Sequence, residues 1–443
     1  MLSNSTKTPH YSPYSTTRSK TAGFQTEVAV SVKNDFAQLD LICLSHLRWD
    51  FIFQRPQHLL TRFARSRRVF FFEEPYFDSA HPRLEIITKD SKVTVATPHL
   101  PEQTSQEESI RLQKMLLNQL LKTHQIDSYL AWYYTPMALS FSEHLLPVAT
   151  VYDCMDELSA FRGANSALPI YEERLMQKAD VMFTGGRTLF EAKRHKHPNV
   201  HALPSSIDVA HFHSSRLEKN RSQDPQDQAS IAHPRIGYFG AVDERLDYAL
   251  LETVARARPE WQFIIIGPVV KVDSRNLPRM KNIHYLGNKN YQDLPKYLAT
   301  WDVAMMPFAL NESTKFISPT KTPEYLAAGK RVVSTAITDV VTPYGDEGFV
   351  EISHSAEEFI QHCEKLMQDK EKKNPEFIKR VDQFLSLNSW DATANLMLEH
   401  IKAASRFSHD ATDVFELPEN RYSDSRAWNS HLTNSQSKSS QEC

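Results

Sequence analysis

Twice along this chain, short apolar runs alternate with helical patterns, and the two series are separated by the polar stretch 218–233 (EKNRSQDPQDQASIAH). In the first series, 41–44, 69–72, 92–96, 128–133 and 149–153 read as strands, while a helix opening at Pro56 and another over 110–122 read as crossovers. In the second, strands are expected at 235–239, 261–266, 283–286, 303–306, 331–334 and 349–352, with helices at 246–257, at 291–299 and from Lys321. Strands alternating with helices imply parallel α/β layers. The expectation is therefore α/β: two Rossmann-like domains, 38–217 and 234–384, facing across a cleft, with 218–233 as the linker. Helical patterns at 356–368 and 390–404 end the ordered chain, the latter as a C-terminal helix, 385–405. Residues 1–37 and 406–443 are polar and lack apolar periodicity, so both are expected to be disordered tails.

Composition removes several function classes. The 443 residues carry 51 basic and 54 acidic side chains, a formal charge of -3, which gives no reason to expect a nucleic-acid partner. Only 11 glycines are present and neither GxGxxG nor GxxxxGK[ST] occurs, so a dinucleotide-binding dehydrogenase and a P-loop NTPase are poor readings. No D-x-D triplet, HExxH or CxxC occurs, and no metal is expected. The four scattered cysteines fit reduced residues of a cytoplasmic protein. The first 36 residues lack a continuous apolar core and are not expected to act as a secretory signal, and no run approaches the ~20 apolar residues a membrane span needs. Membrane contact would then be peripheral, at the inner face. Arg62, Arg65, Arg67 and Arg68 form the dense basic cluster of the first half, either a surface for anionic headgroups or a solvated helix end.

The segment 318–335, SPTKTPEYLAAGKRVVST, carries the most chemistry. Lys321 and Glu324 fall one turn apart at the start of a short helix. A cation there favours phosphate, and a carboxylate on the same face accepts two hydroxyl hydrogen bonds. The pairing suits a nucleoside diphosphate with its ribose diol; an ordinary αβ turn with solvated side chains is the alternative. Gly240 and Arg245 follow the first strand of the second series, where Gly240 permits close backbone approach and Arg245 is a second phosphate candidate. In the first half, Arg48, Trp49, Gln54 and Arg55 crowd the loop after the first strand as substrate-binding candidates, whereas Phe51 is expected to pack the loop. Asp153 and Asp156 lie at and beyond a strand end, as a general base, an acceptor-positioning group or helix caps.

These motifs together resemble GT-B glycosyltransferases of the family 4 group. In the second half the resemblance rests on IGYFGAVDERLD (236–247), WQFIIIG (261–267), HYLG (284–287) and PTKTPEYLAAGKRVV. In the first half it rests on SHLRWDFIFQRPQHLL (45–60), VYDCMDELSAF (151–161), ADVMFTGGRTLFEAK (179–193) and SSIDVAHF (205–212). These look like a bacterial subgroup related to teichuronic-acid and other cell-surface polysaccharide transferases. The resemblance implies a nucleotide diphosphate sugar held by the second domain, its ribose on Glu324, and a glycan or lipid-linked acceptor held by the first, with no other cofactor. The chain departs from the family in two places. The family spaces two glutamates by eight, but Phe316 stands eight residues before Glu324, with Glu312 on the preceding loop; Tyr152-Asp153 stands where the family tends to carry His-Asp. An epimerase or hydrolase of the same fold, or a catalytically silent binding protein, are the rival readings.

Overall fold

The computed structural model describes residues 36–368 and 375–405, which belong to one compact unit. The expected tails lie outside them, except that Phe36 and Ala37 open a short turn, with Phe36 under the Arg67 guanidinium.

The first sheet holds β1 (Asp40–Leu44), β2 (Val69–Phe72), β3 (Tyr76–Phe77), β4 (Arg83–Thr88), β5 (Val93–Leu100), β6 (Tyr129–Tyr133), β7 (Ala149–Cys154), β8 (Val181–Thr184) and β9 (Val200–Ala202). Their order is β3-β5-β2-β1-β6-β7-β8-β9, parallel throughout, with β4 antiparallel on β5. β1 is buried along its length because it feeds both faces of the sheet. Leu41 and Cys43 join one apolar cluster, Ile42 and Leu44 the other.

The second sheet is β10 (Arg235–Phe239), β11 (Gln262–Ile266), β12 (Ile283–Gly287), β13 (Val303–Met306), β14 (Val332–Thr335) and β15 (Val350–Ser353), ordered β12-β11-β10-β13-β14-β15. In both sheets the chain starts in the middle, winds outward one way, then returns to the other side. The reversals fall between β1 and β6 and between β10 and β13. Loops diverge there at the strand C-termini, the place where open α/β sheets bind ligands. The sequence motifs after β1 and β10 therefore sit at the two switch points.

The 218–233 stretch differs from the expected linker. It forms two helical turns, Glu218–Arg221 and Gln226–Ala229, and packs on the second domain. Gln228 is buried, accepting from the Trp301 indole (2.9 Å) and donating to Thr300 Oγ1 (2.8 Å), while Asp224 pairs with Arg235. A polar segment buries readily when each polar group is satisfied, and no apolar pattern announces it.

The final helix, Trp390–Ala404, returns to the first domain. The Ser389 hydroxyl accepts from Ala392 N–H at its start. Its buried face, Trp390, Ala394, Met397 and Ile401, joins one side of the first sheet. Asp391 reaches Arg62 (3.1 Å) and Arg65 (2.5 Å). Arg67 is buried against the Leu39 carbonyl, and Arg68 is paired with Asp40. The arginine cluster, read from sequence as either a headgroup surface or a solvated helix end, is thus engaged by carboxylates and carbonyls of the protein itself, while Arg65 and Arg68 stay exposed. Among the described residues no helix is long and apolar enough to cross a membrane.

Candidate functional site

A cavity of about 870 Å³ opens between the two switch points, within the range of ligand sites. Its second-domain wall begins at the end of β10, where Gly240 adopts φ +143°. A Cβ at Gly240 would run into the Lys321 side chain, and one at Gly267 (φ +141°) into the Gly240 carbonyl. Only glycine at both positions lets the ends of β10 and β11 pack this closely with a lysine laid across them.

Lys321 opens the short helix Lys321–Ala327, whose buried Tyr325 fixes it to the sheet by accepting from Phe239 N–H (2.9 Å). Glu324 lies on the cavity side of the helix, 9% exposed. Burial pushes its carboxyl up to about 8, against the pull of Lys321. Burial lowers Lys321 in turn, with Glu324 opposing. Each is the other's counter-charge in a site from which water is largely withdrawn. Arg245 lines the same wall, gripped by Asp243 through Nε (3.0 and 3.1 Å) and Nη2 (2.6 Å), its guanidinium 5.6 Å from the Phe161 ring of the first domain.

Across the cavity stands Asp156. Burial raises its carboxyl, and Arg245 is the main group pulling it back down, with Lys321 also lowering it. Trp49 and Gln54 line this side too. Trp49 is nearly buried, its ring edge on Phe71, and Gln54 stands at the start of the Arg55–Phe63 helix, its N–H bonded to Gln57 Oε1 (3.0 Å). Phe51, expected to pack the loop, instead stays 45% exposed on the cavity rim.

Three expected site residues are placed elsewhere. Arg55 and Asp153 are 1% and 0% exposed and face each other, with Nε 2.9 Å and Nη2 2.9 Å from the carboxylate, while Nη1 donates to Leu203 O. Both groups spend their hydrogen-bonding capacity inside the domain, beneath the cavity, so neither is free for substrate. Arg48 clamps the strand-end turn at 73–76, donating to Glu73 and to the Glu74 and Pro75 carbonyls and stacking 3.8 Å from the Tyr76 ring centroid. It does not line the cavity.

Sequence reasoning missed Tyr238, the 288–294 loop, Gly185 and Ser318, which complete the walls. The Gly185-Gly186 pair after β8 was the available signal. Among the described residues no group of three or more His, Cys, Asp or Glu could hold a metal ion.

Residues 233–369 match the model of the family described as "Glycosyl transferases group 1". A Bacillus subtilis (strain 168) protein bearing the name of a teichuronic acid biosynthesis glycosyltransferase, TuaH, is 27% identical over 236 residues. That match takes in 49% of this chain and 58% of the relative, so the chain spans little more than half of that relative's length. Among solved structures, sucrose-phosphate synthase from Thermosynechococcus elongatus aligns with TM-score 0.64 at 12% identity, covering 82% of this chain and 98% of that one. Anabaena HepE, solved in complex with UDP and glucose, aligns with TM-score 0.61 at 13% identity, again over 82% and 98%.

Proposed function

We propose that this chain, which has the GT-B fold and matches the group 1 glycosyl transferase model over 233–369, moves a sugar from a nucleoside diphosphate to a glycan or lipid-linked acceptor of the cell surface. The observation that carries this reading is one cavity holding Lys321, Glu324 and Arg245 on one wall and Asp156 on the other. In the proposed reaction, Glu324 accepts hydrogen bonds from the ribose hydroxyls and Lys321 faces the diphosphate. The bond between the anomeric carbon and the phosphate oxygen breaks, and its electron pair goes to the diphosphate. Lys321 and the outer edge of Arg245 stabilise that developing charge. The acceptor oxygen bonds to the anomeric carbon and releases its proton, either to Asp156 or to the departing phosphate.

Lys321 and Arg245 supply the positive charge that a metal ion would otherwise bring to the diphosphate. UDP or GDP is accordingly expected to bind with the same affinity in excess chelator as in Mg²⁺ or Mn²⁺, measured by calorimetry. Binding that disappears with chelator and returns with the ion would overturn this. The transfer reading is tested with a panel of nucleotide sugars, with and without glycan acceptors. Donor consumption that never depends on an acceptor would assign a hydrolase or epimerase instead.

A further inference from the structure

The helix Arg187–Lys193 of the first domain starts at Gly186, which has no side chain to cap it. Its cap comes from the other domain. Asp339, just beyond β14, accepts from Arg187 N–H (2.9 Å), Thr188 N–H (3.0 Å) and the Thr188 hydroxyl. The same carboxylate accepts from the Ser318 hydroxyl of its own domain, and Ser318 belongs to the cavity wall three residues before Lys321. Asp339 is buried, and these four donors account for its desolvated charge.

Gly186 shows how close the approach is. Its backbone is extended, a conformation open to any residue, yet a Cβ there would lie 2.7 Å from Ser318 Cβ and strike the Asp339 carboxylate. Glycine is required at this position by the other domain. Other contacts also bridge the cleft, including Arg162 N–H to Glu244 (2.8 Å) and Phe53 stacked on Tyr291 (4.6 Å). Asp339 differs from them because a single buried charge joins the first domain directly to the loop that leads into Lys321.

We propose that Asp339 is a positioning residue that latches the cleft, holding the 318–321 loop in its donor-facing place only while the two domains are closed on each other. Donor affinity and domain closure are then coupled through this carboxylate. The role in donor binding rests on the function proposed above; the latch itself does not.

The test uses the full chain, comparing wild type with Asp339→Ala, Asp339→Asn and Gly186→Leu by small-angle scattering and by calorimetry with UDP and GDP. Asp339→Ala and Gly186→Leu are expected to enlarge the radius of gyration and to weaken nucleotide binding at least about tenfold, or 1.4 kcal/mol. Asp339→Asn, which keeps an acceptor oxygen, should recover part of both. A double variant, Thr188→Ala with Ser318→Ala, removes two donors while leaving the carboxylate. It should open the cleft even if Asp339→Ala fails to fold. Unchanged scattering and affinity in folded variants, whatever their thermal stability, would reduce Asp339 to a structural cap and overturn the proposal. If wild type binds neither nucleotide, the donor reading fails and scattering alone decides: opening supports the latch, and an unchanged profile refutes it.

Discussion

Replacing Lys321 with alanine is expected to slow sugar transfer by about 10²–10³-fold, the loss typical when a preorganised group facing developing charge is removed. The fall should appear chiefly in kcat, since the charge on the diphosphate grows as the glycosidic bond breaks. A Lys321→Ala protein that folds and keeps wild-type turnover would remove Lys321 from the reaction. Glu324→Gln should act differently. It keeps the shape but loses the charge the carboxylate carries once pH exceeds about 8, and with it the ionic character of the proposed hydrogen bonds to the ribose. Nucleotide affinity measured above that range should therefore fall about tenfold or more. The same variant tests the electrostatics of the site. Burial holds the Glu324 carboxyl up at about 8. A carboxyl raised in the folded state keeps its proton where the unfolded chain has already lost it. Its contribution to stability is therefore fully present below the ordinary carboxyl range and is lost as pH rises through 8. Urea unfolding between about pH 5 and pH 9 should show wild type losing stability relative to Glu324→Gln, whose neutral amide cannot titrate.

The second large effect concerns Arg55 and Asp153. Either alanine substitution leaves an unpaired charge in the interior and should cost about 3–5 kcal/mol, enough to threaten folding. Replacing both partners with apolar residues of similar size, Arg55→Met with Asp153→Leu, should be far milder and leave nucleotide binding intact. Denaturant unfolding of the two singles and the double decides the matter. A single Asp153→Asn variant that unfolds like wild type but loses transfer would return Asp153 to the chemistry.

These two pairs show what the sequence could and could not reveal. Lys321 and Glu324 are three residues apart on one helix, so their shared face follows from the helical period alone. Arg55 and Asp153 are separated by 98 positions, and the pair forms only because β1 and β7 flank β6. Arg55 opens the helix that follows a loop facing the cavity, and nothing local shows that its side chain turns inward. Asp339 is the same problem from the other side, an isolated acid with three of its four donors in the opposite domain. The central strands were legible because burial on both faces enforces continuous apolar runs, as in Val69–Phe72 and Val303–Met306. β4 was not, since Arg83–Thr88 lies exposed and antiparallel at the sheet's margin, where no apolar pattern is imposed. The helix Pro375–Leu385 also went unread, although Phe377, Val381 and Leu385 give it a regular buried stripe.

The return of the last helix to the first domain has a consequence for how this protein is made. Trp390 stacks flat on His58, with ring centroids 4.5 Å apart, and Thr393 bonds Ser206 across the hydroxyls (2.6 Å). One face of the earliest-translated sheet is thus covered by a segment that leaves the ribosome after the entire second domain. During synthesis the first domain must wait, partly uncovered, while its partner folds. A gene cut at 218–233 would then yield neither half whole. An exchange of second domains between related chains would keep a sound first domain only if residues 390–404 travelled with it.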